Sequence, residues 1–497
     1  MFDEWLTARK QQELLLYGGL AGRKPEEYQK QFRELQSLVD DLEHSLAAEV
    51  PELRDVQPPQ LDEIIAKVAQ RLPPSGVLME VVEAKPFQGY GRPDKHVWGL
   101  AHFVALLLFP DQRIVSVDLG EAKSIDLLAK NFRLALASSL SHPEPAAQAL
   151  YTALFDKLRE HLGGRKDIYL SLEGSLNLVP FDALHDGNDY LLGHYRFHYL
   201  TSGRDLLRKP SNQPVGPAVV LGNPYFGPDS VVGISEESNV YAKLASLVNL
   251  PWAQREVELV AKLLDVRPLL GAEAKEDVLR GRVAPRVLHL ATHGIYLSDL
   301  SPWQIPGGDR SALLPLQMPG EGPDPNGSPP QRLPGEFGPM NRSGLLFAGG
   351  RQGLSVEDKT KDGLLTAEEA RSLDLDGTQL VVLSSCDSGM GETAPGQGVY
   401  GLRRAFLTAG AETLVTSLWR VDDEATGELM AMYYQKLLDK QRPGNRLGAM
   451  LESMQELRTR PGRSHPYYWA PFLVIGADGP LTKSTTNHST QRSSIGA

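Results

Sequence analysis

The chain has 497 residues, 41% hydrophobic and 23% charged, enough for two or three packed units of an ordinary globular protein. A net charge of -11 with no lysine or arginine cluster argues against a general nucleic-acid binder. No apolar run approaches the length of a membrane span, Val104 to Phe109 being far too short, and no signal-peptide pattern is present. The single cysteine, Cys386, excludes an intramolecular disulfide and fits a reducing, cytoplasmic compartment.

Residues 1–75 read as a helical arm. From Pro25 the apolar positions Tyr28, Phe32, Leu35, Leu38, Val39, Leu42 and Leu46 keep a helical period, and Pro51 ends the run. The arm either docks on the main body or carries a partner-binding face. No 34-residue repeat is visible.

From Val77 to Phe226 strands and helices alternate. Val77–Val82, His102–Leu108, Arg113–Val117, Ile168–Leu172 and Ala218–Gly222 read as strands, and Ala147–Leu162 as a helix. His185, His194 and His198 lie in a loop-rich stretch without metal-ligand spacing.

Beyond Leu250 the pattern gives a helix over Pro251–Leu264 and a buried strand over Val287–Thr292. A Pro/Gly-rich stretch from Tyr296 to Gly363 follows, too poor in core residues to be anything but a long loop, and Ser343–Ala348 alone interrupts it as a strand. A strand over Gln379–Leu383 stops at Ser384-Ser385-Cys386. A helix from near Val399 with Leu402, Phe406 and Ala409 inward, a strand over Thr413–Trp419 and a helix opened by Asp422-Asp423-Glu424 come next. A helix with Met450, Met454 and Leu457, a strand over Phe472–Gly476 and a disordered tail past Pro480 complete the chain.

The chemistry gathers at two strand ends. His293-Gly294 closes one buried run and Cys386 closes another, about ninety residues later. If these are parallel neighbours, imidazole and thiol share the carboxyl edge of a sheet, where open α/β folds do their chemistry, and can act as base and nucleophile. The Gly294 N–H, with no Cβ beside it, and the Cys386 N–H are candidates for an oxyanion hole.

Three other motifs are discounted. His289 and His293 stand four residues apart on a β-like run, roughly 13 Å by strand rise, too far for a shared metal, so His289 is expected as a hydrogen-bonded core histidine. Gly389-Met390-Gly391-Glu392-Thr393-Ala394 has the dinucleotide spacing but runs on into Pro395 and Gly396 instead of a helix. Asp374–Gly377 is a turn, not a calcium loop. No metal and no cofactor are expected.

The successive segments Leu288–Gly294, Leu380–Gly389, Gly401–Phe406, Ala409–Ala411, Ser417–Asp423 and His465–Phe472, with Leu178–Leu184 upstream, resemble the CHAT peptidases, bacterial relatives of caspases and separase. Ser385 and Asp387 stand where many members have Ala and Glu or Gln. The resemblance covers roughly residues 76–480 and implies an α/β, caspase-like fold with parallel-rich central sheets flanked by helices.

A pseudo-protease half (76–235) and an active half (236–480) are implied, after the helical arm (1–75) and before the tail (481–497). The implied activity is a cysteine endopeptidase with His293 and Cys386 as dyad, latent until a protein activator arrives, in a bacterial defence or cell-death pathway. Its protein substrate would be read by Asp387, Arg420, Asp422 or Asp423. The same acids also suit the start of a helix. The rival reading is a catalytically idle scaffold of the same fold that binds a protein partner.

Overall fold

A computed structural model describes residues 4–5, 7–8, 11, 25–49, 61–90, 96–211, 213, 215–228, 247–281, 283–296, 340, 343–351, 362–385, 392–394, 398–419 and 422–482. Two helices come first, α1 (Pro25–Glu49) and α2 (Leu61–Arg71). On α1 only part of the expected stripe is covered: Val39 is buried against Trp5 and Ala8, whereas Leu38 is 47% exposed. On α2, Val68 and Ala69 pack with Leu72 onto Leu78, Leu108 and Leu200 at one side of the sheet.

The first sheet strand is β1 (Gly76–Ala84). A separate hairpin follows, β2 (Phe87–Tyr90) with β3 (His96–Trp98), whose Phe87 and Trp98 rings meet edge to face at 5.4 Å. Then come β4 (His102–Leu108), β5 (Ile114–Glu121), α3 (Ala122–Leu136), α4 (Glu144–Arg159), β6 (Asp167–Ser171), β7 (Arg196–Leu200) and β8 (Val219–Pro224).

The second part of the chain begins with α5 (Pro251–Leu264), β9 (Leu269–Gly271), β10 (Val287–Ala291), β11 (Gly294–Tyr296), β12 (Ser343–Leu346), β13 (Leu364–Thr366) and α6 (Ala367–Arg371). It continues with β14 (Leu380–Leu383), β15 (Glu392–Ala394), β16 (Gly398–Tyr400), α7 (Leu402–Thr408), β17 (Thr413–Ser417), α8 (Asp423–Leu437), α9 (Arg446–Arg458), α10 (Pro466–Trp469) and β18 (Phe472–Gly476).

Eleven strands form one sheet in the order β5-β4-β1-β6-β7-β18-β17-β14-β10-β8-β9. The run β17-β14-β10-β8-β9 is parallel throughout, as is β1-β6-β7-β18. The antiparallel contacts are β18 with β17, β1 with β4 and β4 with β5. The fold is therefore mixed α/β with a large, mostly parallel sheet between helices. The two parts meet where Ile475 of β18 bridges Tyr199 of β7. β8, which precedes residue 235, pairs with β9 and β10.

Such strands read as unbroken apolar runs because both faces are covered. β10, β14 and β17 are buried along their whole length. On one face α3, α4, α5, α8 and α9 bury Phe132, Phe155, Val257, Tyr433 and Met454; on the other, α6 and α7 bury Ala370, Ala405 and Phe406. Each large apolar side chain taken fully out of water contributes roughly 2 kcal/mol.

Gly222 of β8 makes one of these packings possible. A Cβ there would lie 2.5 Å from Val257 of α5 and 2.8 Å from the Ala291 carbonyl oxygen. Arg403 ties the two parts together. Buried, it donates to the Asn177 carbonyl at 2.8 Å, and burial pulls its guanidinium down to about 10.

Some expected boundaries move. The helix expected from Val399 begins at Leu402, because Gly398–Tyr400 pairs with Glu392–Ala394 as a hairpin. In the long Pro/Gly-rich stretch, residues 297–339, 341–342 and 352–361 lie outside the described residues; its described ends carry β12 and the three-stranded sheet β11-β12-β13. The Asp374–Gly377 turn is present, with Asp374 accepting from the Asp376 N–H. Of the tail past Pro480, Leu481 and Thr482 are described, and Thr482 donates its N–H to the Gln379 side chain at 2.9 Å.

Candidate active site

β10 and β14 are parallel neighbours with Leu290 opposite Leu383. His293 follows Leu290 by three residues, and Ser384 and Ser385 follow Leu383, so the register brings His293 and the end of the segment that leads to Cys386 to the same carboxyl edge. Cys386 and Asp387 lie outside the described residues, and so does Arg420. The segment leading to Cys386 is fixed up to Ser385: Ser384 N–H donates to Leu290 O at 2.9 Å, and Ser417 Oγ donates to Ser385 O.

The His293 ring is held by groups remote in sequence. Its Nε2 lies 2.9 Å from the Val248 carbonyl oxygen, which can only accept, so Nε2 carries a proton and donates it to that bond. Phe226 packs against it with ring centroids 5.3 Å apart. Val248 is in turn placed by Asn223 at the end of β8. Left-handed at φ 42, Asn223 accepts the Leu250 N–H at 2.8 Å and donates to Gln254 at 3.2 Å. Buried Arg351 adds a clamp, donating to Gly227 O at 3.1 Å and to Leu247 O. None of Asn223, Val248 and Arg351 stands out in the sequence, because their roles exist only through contacts across the fold.

Gly294 opens β11, opposite Leu345 of β12. Leu346 N–H donates to His293 O at 3.0 Å, which makes Gly294 and Leu345 a non-hydrogen-bonded pair in the antiparallel ladder. In such a pair the N–H points away from the partner strand, so the ladder does not use it.

Beneath the edge lies a buried polar chain. His289 is fully buried; its Nδ1 meets Tyr434 Oη at 3.1 Å, and its Nε2 lies 3.0 Å from Glu256 Oε1, though off the line of a good hydrogen bond. Glu256 Oε2 accepts from Ser384 Oγ at 3.0 Å. His289 is thus the core histidine that the strand spacing suggests. The chain links α5, β10, β14 and α8 directly under the two strand ends. Among the described residues no cluster of His, Cys, Asp and Glu could hold a metal ion.

A cleft of about 40 Å³ opens at this edge, lined by Leu250, Ala253 and Glu256 of the α5 region, Thr292, Ser384, Ser385, Ser417, Trp419 and Phe472 at strand ends, and Asp423 and Thr426 of α8. Its charged lining is acidic, Glu256 and Asp423. Asp422 does not line it: Asp422 caps α8, accepting the Ala425 N–H at 2.9 Å, with Arg463 3.8 Å away. The segment His465–Phe472 is structural. His465 caps α10, Trp469 is buried with its Nε1 on Ser464 O at 3.0 Å, and Trp419 Nε1 donates to Tyr467 O at 3.2 Å.

The family model of the CHAT domain matches residues 144–477. Tetratricopeptide repeat protein 28 of Homo sapiens is 29% identical over 380 residues, which is 70% of this chain and 14% of that protein; its Mus musculus counterpart is 28% identical over 368 residues, 69% and 14% respectively. The chain therefore spans about one seventh of the length of these relatives. Similar solved structures include the Saccharomyces cerevisiae separase–securin complex (11% identity, TM-score 0.35, 96% of this chain and 27% of that one). The Porphyromonas gingivalis RgpB pro- and mature domains are another (10%, 0.37, 73% and 77%).

Proposed function

This chain belongs to the CHAT domain family, and on that premise we propose that it is a cysteine endopeptidase that cuts a protein substrate with His293 as base and Cys386 as nucleophile. The observation that carries the proposal is the orientation of His293. The Val248 carbonyl accepts the Nε2–H and so holds the imidazole at the edge where β14, the strand that leads to Cys386, also ends.

A cysteine needs little activation, since its ordinary pKa of about 8.5 is already near neutrality and an adjacent imidazolium favours the thiolate. In the reaction, Cys386 Sγ bonds to the scissile carbonyl carbon and His293 receives the thiol proton. The tetrahedral oxyanion is met by the Gly294 and Cys386 N–H groups. His293 then returns the proton to the leaving amine, and water hydrolyses the thioester. The acidic lining supports a basic or uncharged residue before the cut, with Asp423, Asp387 and Arg420 as the residues to vary. A cytoplasmic site, a protein activator and a role in bacterial defence or cell death belong to the same proposal.

The single thiol makes the test clean. A peptidyl electrophile should add once to the intact chain, at Cys386, and His293→Ala should slow that addition at least tenfold. Equal labelling rates in both proteins would reject His293 as the base. Latency is assigned to the Pro/Gly-rich stretch from Tyr296 to Gly363, which in the sequence leaves directly from His293-Gly294 and returns before the strand that leads to Cys386, and its test is replacement of Pro319 to Pro334 by a short Gly-Ser linker. This should change basal cleavage or abolish the response to an activator, and unchanged rates would remove the stretch from regulation.

A further inference from the structure

A second cavity, about 460 Å³, lies at the amino ends of β6 and β7, lined by Arg159, Arg165, Lys166, Gly193, His194 and Tyr195 among others. Three full cations and an imidazole face one space in a chain of net charge -11. Arg159 spends part of its charge on Asp156 at 3.2 Å, an exposed pair. Arg165 and Lys166 have no ion-pair partner among the described residues. The Arg165 guanidinium lies over the Phe109 ring at 4.9 Å and donates Nη1 to Leu162 O at 3.3 Å, while its buried Nε has no acceptor. A guanidinium held in place by Phe109 and Leu162, beside a lysine with no ion-pair partner among the described residues, suits a carboxylate.

The place of the cavity in the sheet gives it a second meaning. β7 runs parallel to β18, and β18 is antiparallel to β17, with Phe472 opposite Ser417. The amino ends of β6 and β7 therefore share an edge with the carboxyl ends of β10, β14 and β17. Helices α4, α5 and α8, which border the two cavities, lie on the same face of the sheet. From β7 to β14 is three strand steps, roughly 15 Å, which an extended peptide covers in about five residues.

We propose that this cavity binds an acidic segment of a polypeptide, and that the segment belongs to the substrate, about five residues to one side of the scissile bond. The binding stands on the cavity alone; the assignment to a substrate rests on the peptidase reading.

The probe is a fluorescently labelled hexaglutamate peptide, with hexaglutamine as control, titrated into the full-length Cys386→Ala chain and followed by anisotropy. Hexaglutamate should bind and hexaglutamine should not, and Arg165→Gln with Lys166→Gln should weaken binding about tenfold, the sum expected for two part-exposed contacts. No binding, equal binding by the double variant, or, with unlabelled inorganic pyrophosphate as competitor, displacement of hexaglutamate at lower concentration than by unlabelled hexaglutamate itself would overturn the site. A cleavage arm tests the substrate role separately. A peptide substrate with glutamates five residues from the cut should show a lower KM than its glutamine twin in the wild type only, at equal kcat. If hexaglutamate binds but KM does not respond, the substrate role fails; if nothing is cleaved while hexaglutamate binds, the peptidase reading fails and the site survives.

Discussion

Asp182, in the segment Leu178–Leu184, is expected to make the protein less stable as pH rises. It is 5% exposed, its Oδ1 has no hydrogen-bond partner, and burial pushes its carboxyl up to about 7 from an ordinary 3.8. A carboxyl whose folded pKa is raised is fully tolerated below the unfolded value, near pH 4. Above it the unfolded chain releases the proton and the folded chain does not, so stability falls until pH passes about 7. At 1.36 kcal/mol per unit, a shift of about three units costs about 4 kcal/mol at pH 8, and only about 2 kcal/mol at pH 5. Asp182→Asn removes the titration. Its amide can add a pH-independent penalty of about 1–3 kcal/mol, but the gap between variant and parent must still move in the variant's favour by about 2–3 kcal/mol from pH 5 to pH 8. Urea unfolding of both proteins at the two pH values measures that gap. Parallel stability profiles would refute the buried, protonated carboxyl.

Three further outcomes follow from the site. Glu256→Ala or His289→Ala should destabilise the protein by about 1–3 kcal/mol in urea unfolding, because each leaves the Ser384 or Tyr434 hydroxyl without its buried partner; no measurable loss would mean the contacts are idle. Arg351→Ala should reduce kcat at least tenfold with a smaller change in KM, since it releases the segment whose Val248 carbonyl orients His293, and unchanged kcat would show that the clamp is irrelevant. Asp422→Ala should cost about 1 kcal/mol as a lost cap without altering the preferred residue before the cut, whereas Asp423→Asn should alter that preference; the reverse pattern in a peptide library would exchange their roles.

The buried strands were legible because a parallel sheet covered on both faces demands unbroken runs such as Leu380–Leu383, and these runs are conspicuous in any window. The pairing of the two strands that lead to His293 and Cys386 was legible for the same reason, since each residue follows such a run by three; Cys386 itself lies outside the described residues, and its meeting with His293 is part of the proposal. Short elements were harder. The two hairpins β2–β3 and β15–β16 have three or four residues per strand, too few for periodicity to register. The orienting residues Asn223, Val248 and Arg351 act through one side-chain amide, one carbonyl and one guanidinium, contacts that no local pattern encodes. The basic cavity is not conspicuous in the sequence because its three cations, Arg159, Arg165 and Lys166, are interrupted by Glu160 and uncharged residues, and His194 comes from a second loop about thirty residues further on.

The central claim is tested most directly by purifying the wild type, Cys386→Ala and His293→Ala and assaying each on one panel of peptide and protein substrates, with thermal unfolding in parallel. Both variants should lose cleavage by at least a thousandfold while their melting temperatures stay within about 2 °C of wild type, as expected for removal of a dyad member from an intact fold. Near-native turnover by either variant would contradict the dyad.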